Sequence, residues 1–189
     1  MSATKTTSEK RTNRKKTVKS RIVFVTGGAR SGKSRFALSE ALKIGGKKAF
    51  LATAEETDRE MEDRIRRHKQ DRGNRWKTFE EPISIARIIR EIDGRYPVVV
   101  IDCLTLWLAN VMMSGLDAEK ETGRLLAALK ALKKSVLFIV SNEVGMGIVP
   151  ENELARQFRD MAGQMNQGVA SISDEVYVTV SGIPLKIKG

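Results

Sequence analysis

Gly27-Gly28-Ala29-Arg30-Ser31-Gly32-Lys33-Ser34 is the stretch from which the fold can be read. It satisfies G-x-x-x-x-G-K-[ST], the pattern of a phosphate-binding P-loop, and its flanks are the ones that pattern requires. Ahead of it, Arg21-Ile22-Val23-Phe24-Val25-Thr26 is β-branched and aromatic and reads as a buried strand over 22–26. Behind it, Ser34 to Leu42 reads as a helix with Phe36, Ala37, Leu38 and Ala41 available to pack. A strand that feeds a glycine turn and then a helix lets backbone N–H groups turn inward around phosphate oxygens. The helix N-terminus adds a partial positive charge. In that frame Lys33 reaches the β- and γ-phosphates, and the Ser34 hydroxyl ligates Mg2+. The expected ligand is a nucleoside triphosphate.

Working outward, strands alternate with helical patterns from Ile22 onward, the signature of an α/β domain with a largely parallel sheet. Lys48 to Thr53 reads as a second strand, after the Gly45-Gly46 turn. Thr57 to Arg72 reads as a charged helix with Met61 and Ile65 on its inner face. A further helix runs from Ile83 to Ile92, opened by Pro82 and closed by Gly94. Val98 to Asp102 is the most hydrophobic strand and is expected at the centre of the sheet. Helices follow at Thr105–Met113 and Asp117–Lys134, then a buried strand at Ser135–Val140. A loop from Asn142 to Pro150 leads into a helix over Glu151–Ala170. Glu175–Val180 and Ile183–Ile187, separated by Ser181-Gly182, close the chain as strands, expected as an antiparallel hairpin at the sheet edge.

The 189 residues suit one domain, expected over 21–189, and the longest apolar runs fall far short of a membrane span. Residues 1–20 carry seven Lys and Arg against Glu9 alone, so +6 of the +11 net charge sits there and +5 on the other 169 residues. With almost no apolar side chains to bury, residues 1–20 read as a disordered basic arm. No apolar segment follows the basic residues, so the arm is not a secretory signal. A modest positive excess on the remainder suits polyanionic ligands. Only 5% of residues are aromatic, so stacking platforms for single-stranded nucleic acid are lacking and nucleic acid is not the expected partner. Cys103 is the only cysteine, which excludes an internal disulfide and fits a reducing, cytoplasmic setting. His68 is the only histidine, so no metal site is built from several.

Three constellations carry chemistry. Asp102 ends an apolar strand, where a second magnesium-organising carboxylate belongs; a helix N-cap is the other reading. Thr105, at the same strand end, donates to phosphate or caps that helix. His68 lies on the inner side of its helix, and Arg64, Arg67, Lys69, Arg72 and Arg75 surround it in sequence. Neighbouring cations favour the neutral, nucleophilic imidazole and would neutralise a leaving pyrophosphate. From the residues alone a nucleophile, a phosphate ligand and a structural histidine all stay open. The loop Asn142-Glu143-Val144-Gly145-Met146-Gly147-Ile148-Val149-Pro150-Glu151-Asn152 contacts substrate or is merely structural. Arg156 and Arg159 on the helix after it face solvent or a phosphorylated substrate.

Taken together, the P-loop with Thr26, the segment Glu60-Met61 through Arg64-Ile65-Arg66-Arg67-His68-Lys69 with Trp76, and the Asn142–Asn152 loop resemble one family. It is the bifunctional adenosylcobinamide kinase/adenosylcobinamide-phosphate guanylyltransferases of cobalamin biosynthesis. The likeness continues through Leu154-Ala155-Arg156, Phe158-Arg159-Asp160 and Asn166-Gln167, and closes with Val180-Ser181-Gly182-Ile183 and Lys186-Ile187-Lys188. It implies a three-layer, recombinase-like P-loop fold and assembly as a homotrimer. It also implies two reactions: phosphorylation of adenosylcobinamide by ATP or GTP, then transfer of GMP from GTP through a guanylylated histidine. That histidine maps onto His68, with Lys33 the second catalytic residue. Nucleotide contacts map onto Gly27, Gly28, Ala29, Arg30, Ser31, Gly32, Lys33 and Ser34, and onto Thr53, Ala54, Glu55, Arg72 and Thr105. Magnesium maps onto Ser34 and Asp102; some relatives have Glu at the latter position. The basic arm lies outside the family pattern. Two other readings compete: a simple P-loop small-molecule kinase with no covalent nucleotide, and a nucleic-acid binder that uses the arm.

Overall fold

The computed structural model describes residues 19–55 and 75–189. The helix expected over 57–72, His68 and Arg72 with it, and residues 1–18 of the basic arm lie outside the described residues.

Seven strands form one sheet, four of them hydrophobic runs buried on both faces. Its strands are β1 (Arg21–Gly27), β2 (Lys48–Ala52), β3 (Trp76–Glu80), β4 (Val98–Asp102), β5 (Val136–Val140), β6 (Glu175–Val180) and β7 (Ile183–Lys188). Their order is β3-β2-β4-β5-β1-β6-β7. Every neighbouring pair is parallel except β6 and β7, which form the antiparallel hairpin expected at the edge. Alternate residues serve opposite faces. Val23, Val25, Phe50, Val98, Val100, Phe138 and Val140 pack toward α1 (Lys33–Lys43). Phe24, Leu51, Val99, Ile101, Leu137 and Ile139 pack toward α2 (Ile85–Ile92), α3 (Leu104–Met113), α4 (Ala118–Lys130) and α5 (Glu153–Ile172). The buried side chains of α1 include Ala37 and Ala41, and their small size lets the helix lie close over β1, β4 and β5.

Several features depart from the sequence expectation. β3 was not anticipated. It is an edge strand with only Trp76 buried, so Lys77, Thr78 and Glu80 obscure its period. The middle position belongs to β5 and not to β4, because hydrophobicity reports burial on both faces, which β4 and β5 share. Helix α2 starts at Ile85 rather than Ile83. Its N-cap is Ser84, and just ahead of it the Glu81 carboxylate accepts from the Ile83 and Ser84 N–H groups at 3.2 and 2.8 Å, which holds Pro82 and Ile83 in a lead-in turn. Burial alone would raise the Glu81 carboxyl, but those two N–H donors and Arg87 outweigh it and hold it below its ordinary value. Helix α4 ends at Lys130 rather than Lys134. Helix α5 starts at Glu153 because the Asn152 side chain caps Ala155 N–H at 3.1 Å.

Candidate nucleotide-binding site

Parallel strands bring the carboxyl ends of β1, β2, β4 and β5 to one edge, where open α/β sheets hold their ligands. The loop 27–34 occupies the β1–α1 junction. Gly27 has φ 141°, and a Cβ on it would drive into the Thr179 carbonyl oxygen, so no side chain fits there. Gly32, at the N-cap of α1, has φ 97°, a left-handed conformation that glycine adopts without strain. Gly28, Ala29 and Arg30 are exposed, as a loop that receives a ligand must be. Lys33 is buried, and its Nζ donates to the Gly28 carbonyl at 2.6 Å, which folds the ammonium over the loop. Ser34 follows on the first turn of α1, half-buried.

The other strand ends are tied together by side chains. The Thr53 hydroxyl, fully buried, donates to the Cys103 carbonyl at 2.7 Å and accepts from Cys103 N–H at 2.8 Å. Asn110 of α3 donates through Nδ2 to the carbonyls of Thr53 at 2.7 Å and Pro82 at 3.3 Å. The Thr105 hydroxyl accepts from Asn142 N–H at 2.7 Å and lies 3.3 Å from the Ser141 hydroxyl. Asn166 of α5 donates to the Asn142 carbonyl at 3.0 Å. Glu143 N–H donates to the Gly27 carbonyl at 3.0 Å, which links the end of β5 to the phosphate loop. Thr53 and Thr105, expected from the sequence, thus sit at the right edge with hydroxyls engaged inside the protein. Ala54 is half-buried beside them and Glu55 exposed. Asn110 and Thr179 carried no sequence signal, and Asn166 entered only through the family likeness with no role attached, because each acts on a residue distant along the chain.

Asp102 stands half-buried at the end of β4. It is not the helix N-cap: Cys103 holds that position, and no side chain caps α3, Thr105 included. Burial first, and the adjacent Asp102 charge second, push the Cys103 thiol up to about 11, so it is an inert core residue rather than a nucleophile. A carboxylate and a hydroxyl are hard oxygen donors. With phosphate oxygens and water they make the donor set that Mg2+ prefers, so Asp102 and Ser34 fit that ion.

A parallel α/β sheet with G-x-x-x-x-G-K-S folded between its first strand and first helix defines a P-loop nucleotide-binding protein. The fold resembles that of a prototypical ATPase from the type III secretion system of pathogenic bacteria, with a TM-score of 0.52 at 14% identity over 84% of this chain and 50% of that one. The chain spans half the length of that ATPase, and the likeness concerns the fold alone.

Residues 23–187 match the family model described as cobinamide kinase / cobinamide phosphate guanyltransferase, and the chain belongs to this family. It is 40% identical over 170 residues to the bifunctional adenosylcobalamin biosynthesis protein CobP of Pseudomonas aeruginosa, covering 88% of this chain and 96% of the relative. It is also 40% identical over 186 residues to the bifunctional adenosylcobalamin biosynthesis protein CobU of Escherichia coli, covering 88% and 99%. Among the described residues, no helix is long and apolar enough to cross a membrane.

Proposed function

We propose that the chain carries out both reactions named by its family. In the first, the hydroxyl on the aminopropanol arm of adenosylcobinamide attacks the γ-phosphorus of a nucleoside triphosphate. The bond to the β-phosphate oxygen breaks, the hydroxyl proton is lost and nucleoside diphosphate leaves. In the second, a His68 ring nitrogen attacks the α-phosphorus of GTP and pyrophosphate departs, leaving GMP on the histidine as a phosphoramidate. A phosphate oxygen of adenosylcobinamide phosphate then attacks that phosphorus, the P–N bond breaks, and adenosylcobinamide-GDP forms. The observation that carries the reading is the phosphate loop itself, with Lys33 folded over it, in a chain that shares its family across residues 23–187.

Loop amides from Gly27 to Ser34 cradle the phosphates, and Lys33 exchanges its Gly28 carbonyl for phosphate oxygens. Ser34 and Asp102 would hold Mg2+, which neutralises charge on the transferring phosphoryl group when bound. Thr53, Ala54, Glu55, Arg72 and Thr105 complete the nucleotide contacts. The arginines that neighbour His68 in sequence would favour the neutral imidazole before attack and offset the pyrophosphate charge afterwards. The family likeness also supports a homotrimer, and the lone buried Cys103 suits a reducing cytoplasm.

The test is incubation with α-labelled GTP and Mg2+. The protein should retain acid-labile label, and His68→Ala should remove it. Label that persists in His68→Ala refutes the nucleophile. Transfer of γ-phosphate with no covalent nucleotide identifies a simple kinase instead.

A further inference from the structure

The first and last glycines of the phosphate loop face the same neighbour, and it is not the nucleotide. A Cβ on Gly27 would meet the Thr179 carbonyl of β6, and one on Gly32 would stand 3.2 Å from the Gly182 Cα in the β6–β7 turn. Between them, Ser31 is bonded twice to the hairpin. Its hydroxyl shares a 2.7 Å hydrogen bond with the Thr179 hydroxyl, and its carbonyl accepts from Gly182 N–H at 3.0 Å. Ser31 and Thr179 are both buried. The turn that presents this N–H has positive φ at both central residues, 50° at Ser181 and 85° at Gly182, the backbone of a tight two-residue hairpin.

A loop that aims its N–H groups inward turns carbonyls outward, and those carbonyls need donors of their own. The Gly27 carbonyl is met by Glu143 N–H, the Gly28 carbonyl by Lys33 Nζ, and the Ser31 carbonyl by the hairpin. The Lys33 bond has to be released when phosphate arrives. The hairpin bonds have no such conflict and can persist through binding.

We propose that the C-terminal hairpin is a brace that holds the phosphate loop in its binding shape, with Thr179 as a positioning residue acting through Ser31. The proposal rests on the reading of this loop as the nucleotide site. A braced loop spares the ordering cost that a free one meets on binding, so its loss weakens nucleotide affinity.

The test titrates wild type, Thr179→Val, Thr179→Ser, Ser31→Ala and Ser31→Ala/Thr179→Val with GTP and Mg2+ by calorimetry, beside thermal melts without nucleotide. Thr179→Val, which keeps size and β-branching, should weaken GTP binding about five- to tenfold, and Thr179→Ser should stay within about twofold of wild type. The double variant should bind no worse than Thr179→Val, which already removes the bond that Ser31→Ala removes, together with the Thr179 hydroxyl's 3.4 Å bond to the Thr26 carbonyl. A Thr179→Val protein that melts earlier yet binds GTP like wild type overturns the brace, as do single effects that simply add. Should Thr179→Val not fold, Ser31→Ala decides: weakened binding supports the brace and wild-type binding overturns it. Failure of the wild type itself to bind GTP sinks the nucleotide reading, and the brace with it. Normal wild-type binding with unaffected variants sinks the brace alone.

Discussion

The junction after β1 and the junctions after β2, β4 and β5 share one sheet edge but are held in different ways. The first is built from backbone and small residues. Gly27 and Gly32 let strand β6 and its turn come within contact of the loop, and two main-chain bonds, from Glu143 and Gly182, hold its carbonyls. The others are held by buried and half-buried side chains that reach across the fold, Thr53 to Cys103, Asn110 to Thr53, Thr105 and Asn166 to Asn142. At Gly27 that construction tolerates no added atom. A side-chain-built one tolerates substitution at a graded cost.

The largest expected effect therefore lies at Gly27. Gly27→Ala forces a Cβ into the Thr179 carbonyl at a φ of 141°, which should cost about 2–5 kcal/mol in denaturant titration and abolish nucleotide binding. A cost no greater than that of an ordinary surface substitution would break the contrast. Next comes Asn110→Ala, which strips a donor from the Thr53 and Pro82 carbonyls. It should lower stability by about 1–3 kcal/mol and weaken GTP binding less than Gly27→Ala does.

The smallest effect lies at the opposite end of β6. Glu175 accepts from the Tyr177 hydroxyl at 2.7 Å and pairs with Arg21 at 2.7 Å and Lys186 at 3.1 Å. The Tyr177 bond first, then Lys186 and Arg21, hold its carboxyl below the ordinary 4.5. Burial and the Glu175 carboxylate push Tyr177 the other way, up to about 12. A carboxyl whose value is lowered by folding contributes stability above its unfolded value and loses it as the pH falls through the folded one. Glu175→Gln should therefore cost about 1 kcal/mol or less near pH 7, with the gap to wild type closing below about pH 4.5. GTP affinity should not move. A shift in affinity would mean that the brace runs the length of the strand.

What could be read from the sequence follows the same division. The phosphate loop was legible because its constraints are local: glycines, lysine and serine at fixed spacing between a strand and a helix. The α/β class and the closing hairpin were legible for the same reason, through β-branched runs and the Ser181-Gly182 turn. β3 was hidden because an edge strand buries too little to show a period. The rank of β5 over β4 was hidden because strand order is set by packing between distant segments. Thr179 was invisible, and the contact of Asn166 could not be read beyond its place in the family likeness, for a related reason: their partners, Ser31 and Asn142, lie 148 and 24 residues away.

The central claim is that GMP passes through the protein on its way to the corrinoid. Protein labelled with α-labelled GTP should be stripped of free nucleotide and given adenosylcobinamide phosphate alone. The label should move to the corrinoid as adenosylcobinamide-GDP without any further GTP. Label that stays on the protein, or leaves only as free GMP, would contradict the account.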